Sequence, residues 1–434
     1  MLNRYQKTIF TPTSISENPK PLDWFIAIFL VIVQQDAFIT VTHLLLYPGE
    51  GEDGAENIFN TLSNIICIIL LFIGSIPVLP LLKRLAFRNI YSILYITVVL
   101  SSIIWSLHPD LSLRRGCAYV LTIGIAGYIA VRFTPEQALL VLARSFAIGG
   151  VCSVAFVLLF PEIGIMSGGE LEGNWRGVYP HKNPFGFAMA IALFVQIQLI
   201  ASAKQRSISA YAWACFYIVL VFLSKSTTAL TTSILYVFAG INYVLWKNNR
   251  IYGYNLLLIT SLAVAVLLPA SFLAPDLFLG VIGKDSTLTG RTDVWDAVVE
   301  LISQKPVLGW GYRAMWIPAD PISVWVDSRA GWRVPSAHNS FLEVTLEIGL
   351  IGLASLILII CQAFWRAIRC CALGLLPFGL FSLVFFIGTI VAGQTVETLG
   401  VNQDIDWLVF NILSFLAGER LAAIYSTDGD RSVN

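Results

Sequence analysis

Apolar runs of roughly 17 residues or more, nearly free of charge, recur along this chain, and in hydrocarbon such a run satisfies its own backbone only as a helix. They fall near 24–46, 58–82, 89–107, 116–132, 137–160, 184–203, 209–224, 229–246, 252–272, 340–361, 371–392 and 407–418. Twelve helices of about 20 residues would take up more than half of the 434 residues, close to the 57% that are hydrophobic. Only 12% are charged, against about 25% in soluble domains. The expected fold is an all-α polytopic membrane protein with about 12 transmembrane helices and a long extracytoplasmic loop between helices 9 and 10.

Loop charge sets the orientation. Short loops on the N-terminal side carry 15 Lys and Arg and those on the other side five, so the positive-inside rule places both termini in the cytoplasm. The expected organisation is a cytoplasmic segment 1–23, helices 1–9 over 24–272 with an outward loop 161–183, and a long outward loop 273–339 containing an amphipathic helix. Helices 10–12 over 340–418 and a cytoplasmic tail 419–434 follow. The first run has no small-residue cleavage site after it and reads as a retained anchor. Balanced charge, 27 basic and 27 acidic residues, argues against a nucleic-acid partner. The seven cysteines lie in or beside apolar runs and form neither a disulfide framework nor a metal pair.

In the long loop, Thr292 can cap a helix whose first turn carries Asp293 and Asp296, and Lys305 and Pro306 close it. Arg291 stands just before that helix. A guanidinium beside free backbone N–H groups suits a phosphate, although a lipid headgroup or a carboxylate could equally hold it. His338 lies where the loop meets the tenth run. A neutral imidazole there can act as a general base, or it can be an ordinary interfacial residue. Asn339 or Ser340 can cap the incoming helix, and Glu343 and Glu347 then share one face. Ionisable residues at that depth are costly and point to function. Gly349 and Gly352 permit close helix packing. Arg176, His181 and Lys182 form a cationic group in the other outward loop, where lipid anchoring is the competing explanation. Asp404 and Asp406 lack an evident third ligand and make a weak metal site. The loop's five tryptophans suit interface anchoring better than sugar stacking. No phosphate-loop, zinc-protease or serine-hydrolase motif is present.

Three stretches together resemble the signature region of the O-antigen ligase and polymerase superfamily. They are Gly290-Arg291-Thr292 through Trp295, Pro306-Val307-Leu308-Gly309-Trp310-Gly311-Tyr312, and His338-Asn339 followed by Gly349 and Gly352. The loop from Arg176 and Gly177 to His181, Lys182 and Asn183 resembles the ExoQ-like exopolysaccharide-production members. The resemblance implies a metal-independent glycosyltransferase without a cofactor, acting under the long outward loop on undecaprenyl-diphosphate-linked oligosaccharide. It puts the essential histidine at His338 and the diphosphate-binding arginines at Arg291 and Arg176. Lys182, His181, Arg313, Arg333 and Glu343 are candidate substrate contacts, with Glu343 also a candidate orienting partner of His338. Ala354 and Ser355 follow Gly352 and Leu353 where the ligase branch carries a threonine run, which leans toward a polymerase. The implied setting is the bacterial inner membrane, with the lipid bilayer, a chain-length co-polymerase and a flippase as partners. Alternatives are a ligase that moves finished glycan to an acceptor lipid, and a polysaccharide transporter or flippase. The latter would need charges near the midplane and two related halves, neither of which is evident.

Overall fold

A computed structural model of the chain describes residues 18–35, 37, 52–168, 171–202, 207–248 and 291–431. The ninth run, 252–272, the start of the long loop, 273–290, and most of the second half of the first run lie outside the described residues. Among the described residues the fold is all-helical, with one isolated bridge between Ile165 and Trp175.

The first nine helices are α1 (Pro21–Val33), α2 (Glu52–Ser75), α3 (Leu79–Arg88), α4 (Ile90–Ser101), α5 (Pro109–Arg132), α6 (Pro135–Leu159), α7 (Lys182–Ser202), α8 (Ile208–Ser224) and α9 (Thr227–Asn248). Two helices of the long loop, α10 (Arg291–Gln304) and α11 (Pro321–Ala330), precede α12 (Ser340–Ala372), α13 (Leu376–Ala392) and α14 (Ile405–Arg431). Five helical segments are long and apolar enough to cross a membrane: Asn60–Arg88, Pro135–Leu159, Lys182–Ala201, Ser340–Ala372 and Ile405–Ser426. The expected run at 58–82 is divided by a 3₁₀ turn at Ile76–Val78, where Pro77 cannot donate to the helical ladder.

Local chemistry sets the helix starts. Pro21, Pro109, Pro135 and Pro321 occupy first turns, where their fixed φ suits the helix and no donor is lost. Thr134 and Gln137 add a reciprocal capping box to α6, through bonds of 3.2 and 3.0 Å. The outer flank of α2 shows Ile65, Ile66, Ile69 and Phe72 about half exposed or more, an apolar surface suited to lipid.

Helix α12 packs against α4, α13 and α14, and α5 packs against α14. Phe194, about 18 Å along α7 from Lys182, stacks on Phe381 of α13 at 4.3 Å. Tyr179, just before α7, donates its hydroxyl to Gln35 Oε1 at 2.7 Å, and the neighbouring Gln34 accepts from Thr122 Oγ1 at 2.7 Å, which in turn accepts from Gln403 N–H at 3.1 Å, so the loop leading into α7 and the connection between α13 and α14 lie at one end of the bundle. The two loop helices, α10 and α11, sit at that end, where Arg291 of α10 reaches the Thr395 carbonyl beyond α13. They form a second core of Val294, Ala297, Val298 and Leu301 against Trp310, Met315, Val326, Ala337 and Leu346. His108, at the α4–α5 turn, reaches Asp320 at 3.0 Å and ties this small domain to the bundle.

Candidate functional site

The signature segment Pro306–Tyr312 is a clamp on a broken helix. Inside α12, Ile348 (φ −129°) and Gly349 (φ +66°, ψ −169°) leave helical geometry. The kink interrupts the ladder, and the loop replaces it. Trp310 N–H donates to the Leu346 carbonyl at 3.0 Å, and Gly311 N–H to that of Glu347 at 2.8 Å. In return, Leu350 N–H donates to the Pro306 carbonyl at 2.9 Å. A Cβ on Gly349 would stand 2.1 Å from the Val307 carbonyl oxygen, and one on Gly309 2.6 Å from that of Glu347. Close helix packing is therefore not what Gly349 provides. It permits a left-handed kink and a backbone-to-backbone approach that a Cβ would block. Gly352 lies beneath Ile348 of the same kink.

The kink gives α12 a short outer segment that begins beside His338. Asn339 caps it, its Oδ1 accepting from Phe341 and Leu342 N–H at 3.0 and 3.2 Å. Ser340 N–H donates to the Gly393 carbonyl at 2.8 Å, joining this start to the end of α13. His338 is half-buried, takes a left-handed φ of +49° and lies near-parallel to the Trp332 ring, centroids 5.9 Å apart. Such a conformation costs a non-glycine residue about 1–3 kcal/mol, and neighbours must hold it. Burial, and then the positive charge of Arg291, push the imidazole down to about 4, so it is neutral near pH 7.

Arg291 opens α10 instead of preceding it, so Thr292 lies within the first turn and does not cap the helix. The buried stripe on α10 sets its place. Val294, Val298 and Leu301 face the second core, with Ile302 partly buried, and Trp295 Nε1–H donates to the Ala337 carbonyl at 2.9 Å. These contacts bring the first turn to His338. Arg291 donates to the Thr395 carbonyl at 3.0 Å, its pKa is lowered by burial, and among the described residues it has no ion pair.

Arg313 is differently placed. Burial opposes its charge, but Glu397, which it meets directly, and Glu347 outweigh that and hold it protonated. Arg115 donates to the Arg313 carbonyl. Glu343 and Glu347 are buried, each 2% exposed. Both Glu343 oxygens are engaged, Oε2 by Ala337 N–H at 2.7 Å and Oε1 by Trp316 Nε1–H. Arg333 is exposed.

Arg176, His181 and Lys182 are brought together in a second group at the same end. Arg176 donates to the Ile163 carbonyl at 2.7 Å and the Pro180 carbonyl at 3.2 Å, bracing its own loop. Burial, then Lys182 and Arg176, lower the pKa of His181. Asp404 Oδ1 accepts from Trp407 N–H at 2.8 Å and so caps α14. Sequence reasoning missed Arg115, Glu397 and the His108–Asp320 contact. Glu397 and Arg115 are visible only as rare charges between apolar runs, and nothing in their spacing shows what they meet.

Comparison with known proteins follows this geometry. The family described as O-antigen ligase matches residues 210–357, a span that contains Arg291, Arg313, His338, Glu343 and Gly349 but not Arg176 or Glu397. The chain is 28% identical over 287 residues to the exopolysaccharide production protein ExoQ of Rhizobium meliloti, covering 62% of each chain. It is 25% identical over 172 residues to a Rickettsia typhi protein named "Putative polysaccharide ligase", covering 38% of this chain and 42% of that one. A Rickettsia felis protein of the same name is 25% identical over 174 residues, with coverage of 39% and 41%. The chain thus spans about three-fifths of the ExoQ relative and about two-fifths of the two Rickettsia proteins. The motifs and these comparisons agree: this membrane protein resembles the O-antigen ligase and polymerase superfamily and, among its relatives, an ExoQ protein.

Proposed function

We propose that the chain is a glycosyltransferase that polymerises undecaprenyl-diphosphate-linked repeat units into exopolysaccharide at the outer face of the bacterial inner membrane. The observation that carries this reading is a neutral imidazole held beside a guanidinium that, among the described residues, no carboxylate neutralises. Arg291 binds the donor's diphosphate, with Arg176 and Lys182 as further cationic groups at the same end of the bundle. His338 takes the proton of the acceptor hydroxyl as its oxygen attacks the anomeric carbon. The bond from that carbon to the diphosphate oxygen breaks, and undecaprenyl diphosphate leaves with the electron pair. No ATP is needed, because the diphosphate is already a good leaving group and the protein has only to stabilise charge and align the acceptor. Arg313 is a weaker phosphate candidate, since Glu397 occupies it. A flippase and a chain-length co-polymerase fit as partners upstream and beside it.

A ligase is the second reading, favoured by the names of the Rickettsia relatives. One experiment separates the two. A strain lacking the gene is complemented with wild type or His338→Ala, and its glycans and lipid intermediates are profiled. Single repeat units on undecaprenyl diphosphate outside the membrane mean polymerase, and long polymer not joined to its final acceptor means ligase. Units trapped on the cytoplasmic face mean a flippase, and full product from His338→Ala removes the base assignment.

A further inference from the structure

Glu343 lies one turn into α12 and has both carboxylate oxygens committed to protein donors. Those donors belong to different segments. Ala337 N–H comes from the residue before His338, and Trp316 Nε1–H from the loop between the clamp and α11. The Ala337 carbonyl, in turn, accepts from Trp295 on α10 at 2.9 Å. Ala337, the residue before the left-handed His338, is thereby gripped through both its N–H and its carbonyl, by a carboxylate only 2% exposed and by the Trp295 indole. With a donor on each oxygen and 2% of its surface exposed, this carboxylate is closed off from a sugar and is placed to orient its neighbours.

We propose that Glu343 is a positioning residue that fixes where the His338 imidazole stands by holding the Ala337 peptide and the Trp316 indole, and does not itself touch substrate. The inference rests on the reading of His338 as the base. Both partners are donors, so the probe is Glu343→Gln. The amide keeps the shape but offers one acceptor and one donor, leaving an N–H against an N–H.

The test uses the full-length protein in proteoliposomes with lipid-diphosphate-linked repeat units, measuring kcat and KM. For Glu343→Gln, kcat should fall about tenfold or more while KM stays within about twofold, as expected when a base is displaced but substrate binding is kept. Adding Trp316→Phe removes one of the conflicting donors, so the double variant should be faster than Glu343→Gln alone. If Glu343→Gln does not insert, Trp316→Phe by itself should give a smaller loss confined to kcat. Unchanged kcat in these variants, or a rise in KM at constant kcat, overturns the proposal. His338→Ala is run in parallel. An inactive His338→Ala beside an undisturbed Glu343→Gln sinks this inference alone, whereas an active His338→Ala removes the base reading and this inference with it.

Discussion

The pH dependence of transfer bears directly on His338. Burial, and next the charge of Arg291, bring its pKa down to about 4. A base acts only when unprotonated, so kcat/KM should fall on the acid side with a midpoint near pH 4, about tenfold for each further unit. An unperturbed histidine would put that midpoint near 6.5. At pH 5 the first imidazole is about 90% neutral and the second about 3%, a difference of about 30-fold relative to the plateau. The kcat profile should turn at a higher pH, because a diphosphate on Arg291 cancels one of the two causes of the depression. Arg291→Gln should raise the kcat/KM midpoint for the same reason, besides slowing transfer. Stability should follow the opposite side of the same equilibrium. The folded pKa lies below the unfolded one, so the unfolded chain takes up the proton first as pH falls. This group therefore costs the fold stability between about pH 6.5 and 4, up to about 3 kcal/mol, and His338→Gln should remove that loss. The assay is polymer formation in proteoliposomes at limiting and saturating substrate across the acid range. An acid limb centred near pH 6.5, or one that Arg291→Gln leaves in place, refutes the reasoning.

Other substitutions probe the frame around that base. Gly349→Ala meets both a left-handed φ and the Val307 oxygen at 2.1 Å, and should cost about 3 kcal/mol or more or prevent accumulation. Gly331→Ala, at φ +75° with nothing within 4 Å among the described residues, should cost only about 1 kcal/mol by thermal melting in detergent. Arg291→Lys keeps the charge but loses the planar fork, so donor kcat/KM should drop by about 10- to 100-fold with insertion intact. Asp320→Ala removes the cap to Ile322 N–H at 2.9 Å and the contact to His108 at 3.0 Å. It should loosen the small loop domain by about 1–2 kcal/mol, read as faster limited proteolysis around α11.

The membrane class was legible because hydropathy is a local property, and α6, α7 and α13 lie close to where their apolar runs predict. The capping at Asn339 and the buried stripe on α10 were also written locally, in side chains a few residues apart. The kink was not. Residues 340–361 read as an unbroken apolar span, because hydropathy says nothing about a carbonyl that exchanges its helical partner for an N–H some forty residues earlier in the chain. The glycines of the signature were visible, but their purpose depends on that exchange. Gly309 is required by the backbone at Glu347 and Gly349, and Gly349 by that at Val307 and Leu308, so neither explains itself when read alone.

The charged residues follow the same division. Depth alone marked Glu343 and Glu347 as functional, since burying a carboxylate in a span is costly. What offsets the cost lies in the loops: the donors of Ala337 and Trp316 for Glu343, and the Arg313 charge near Glu347. The same loop contacts bring α10, and with it Arg291, up to His338 through Trp295 and Ala337. Breaking α12 at Gly349 thus does more than bend a helix. It frees the Leu346 and Glu347 carbonyls to seat the clamp, the clamp seats the second core, and that core fixes the distance between the imidazole and the Arg291 guanidinium. A substitution at the kink should therefore disturb the pairing of His338 with Arg291 before it disturbs insertion in the membrane.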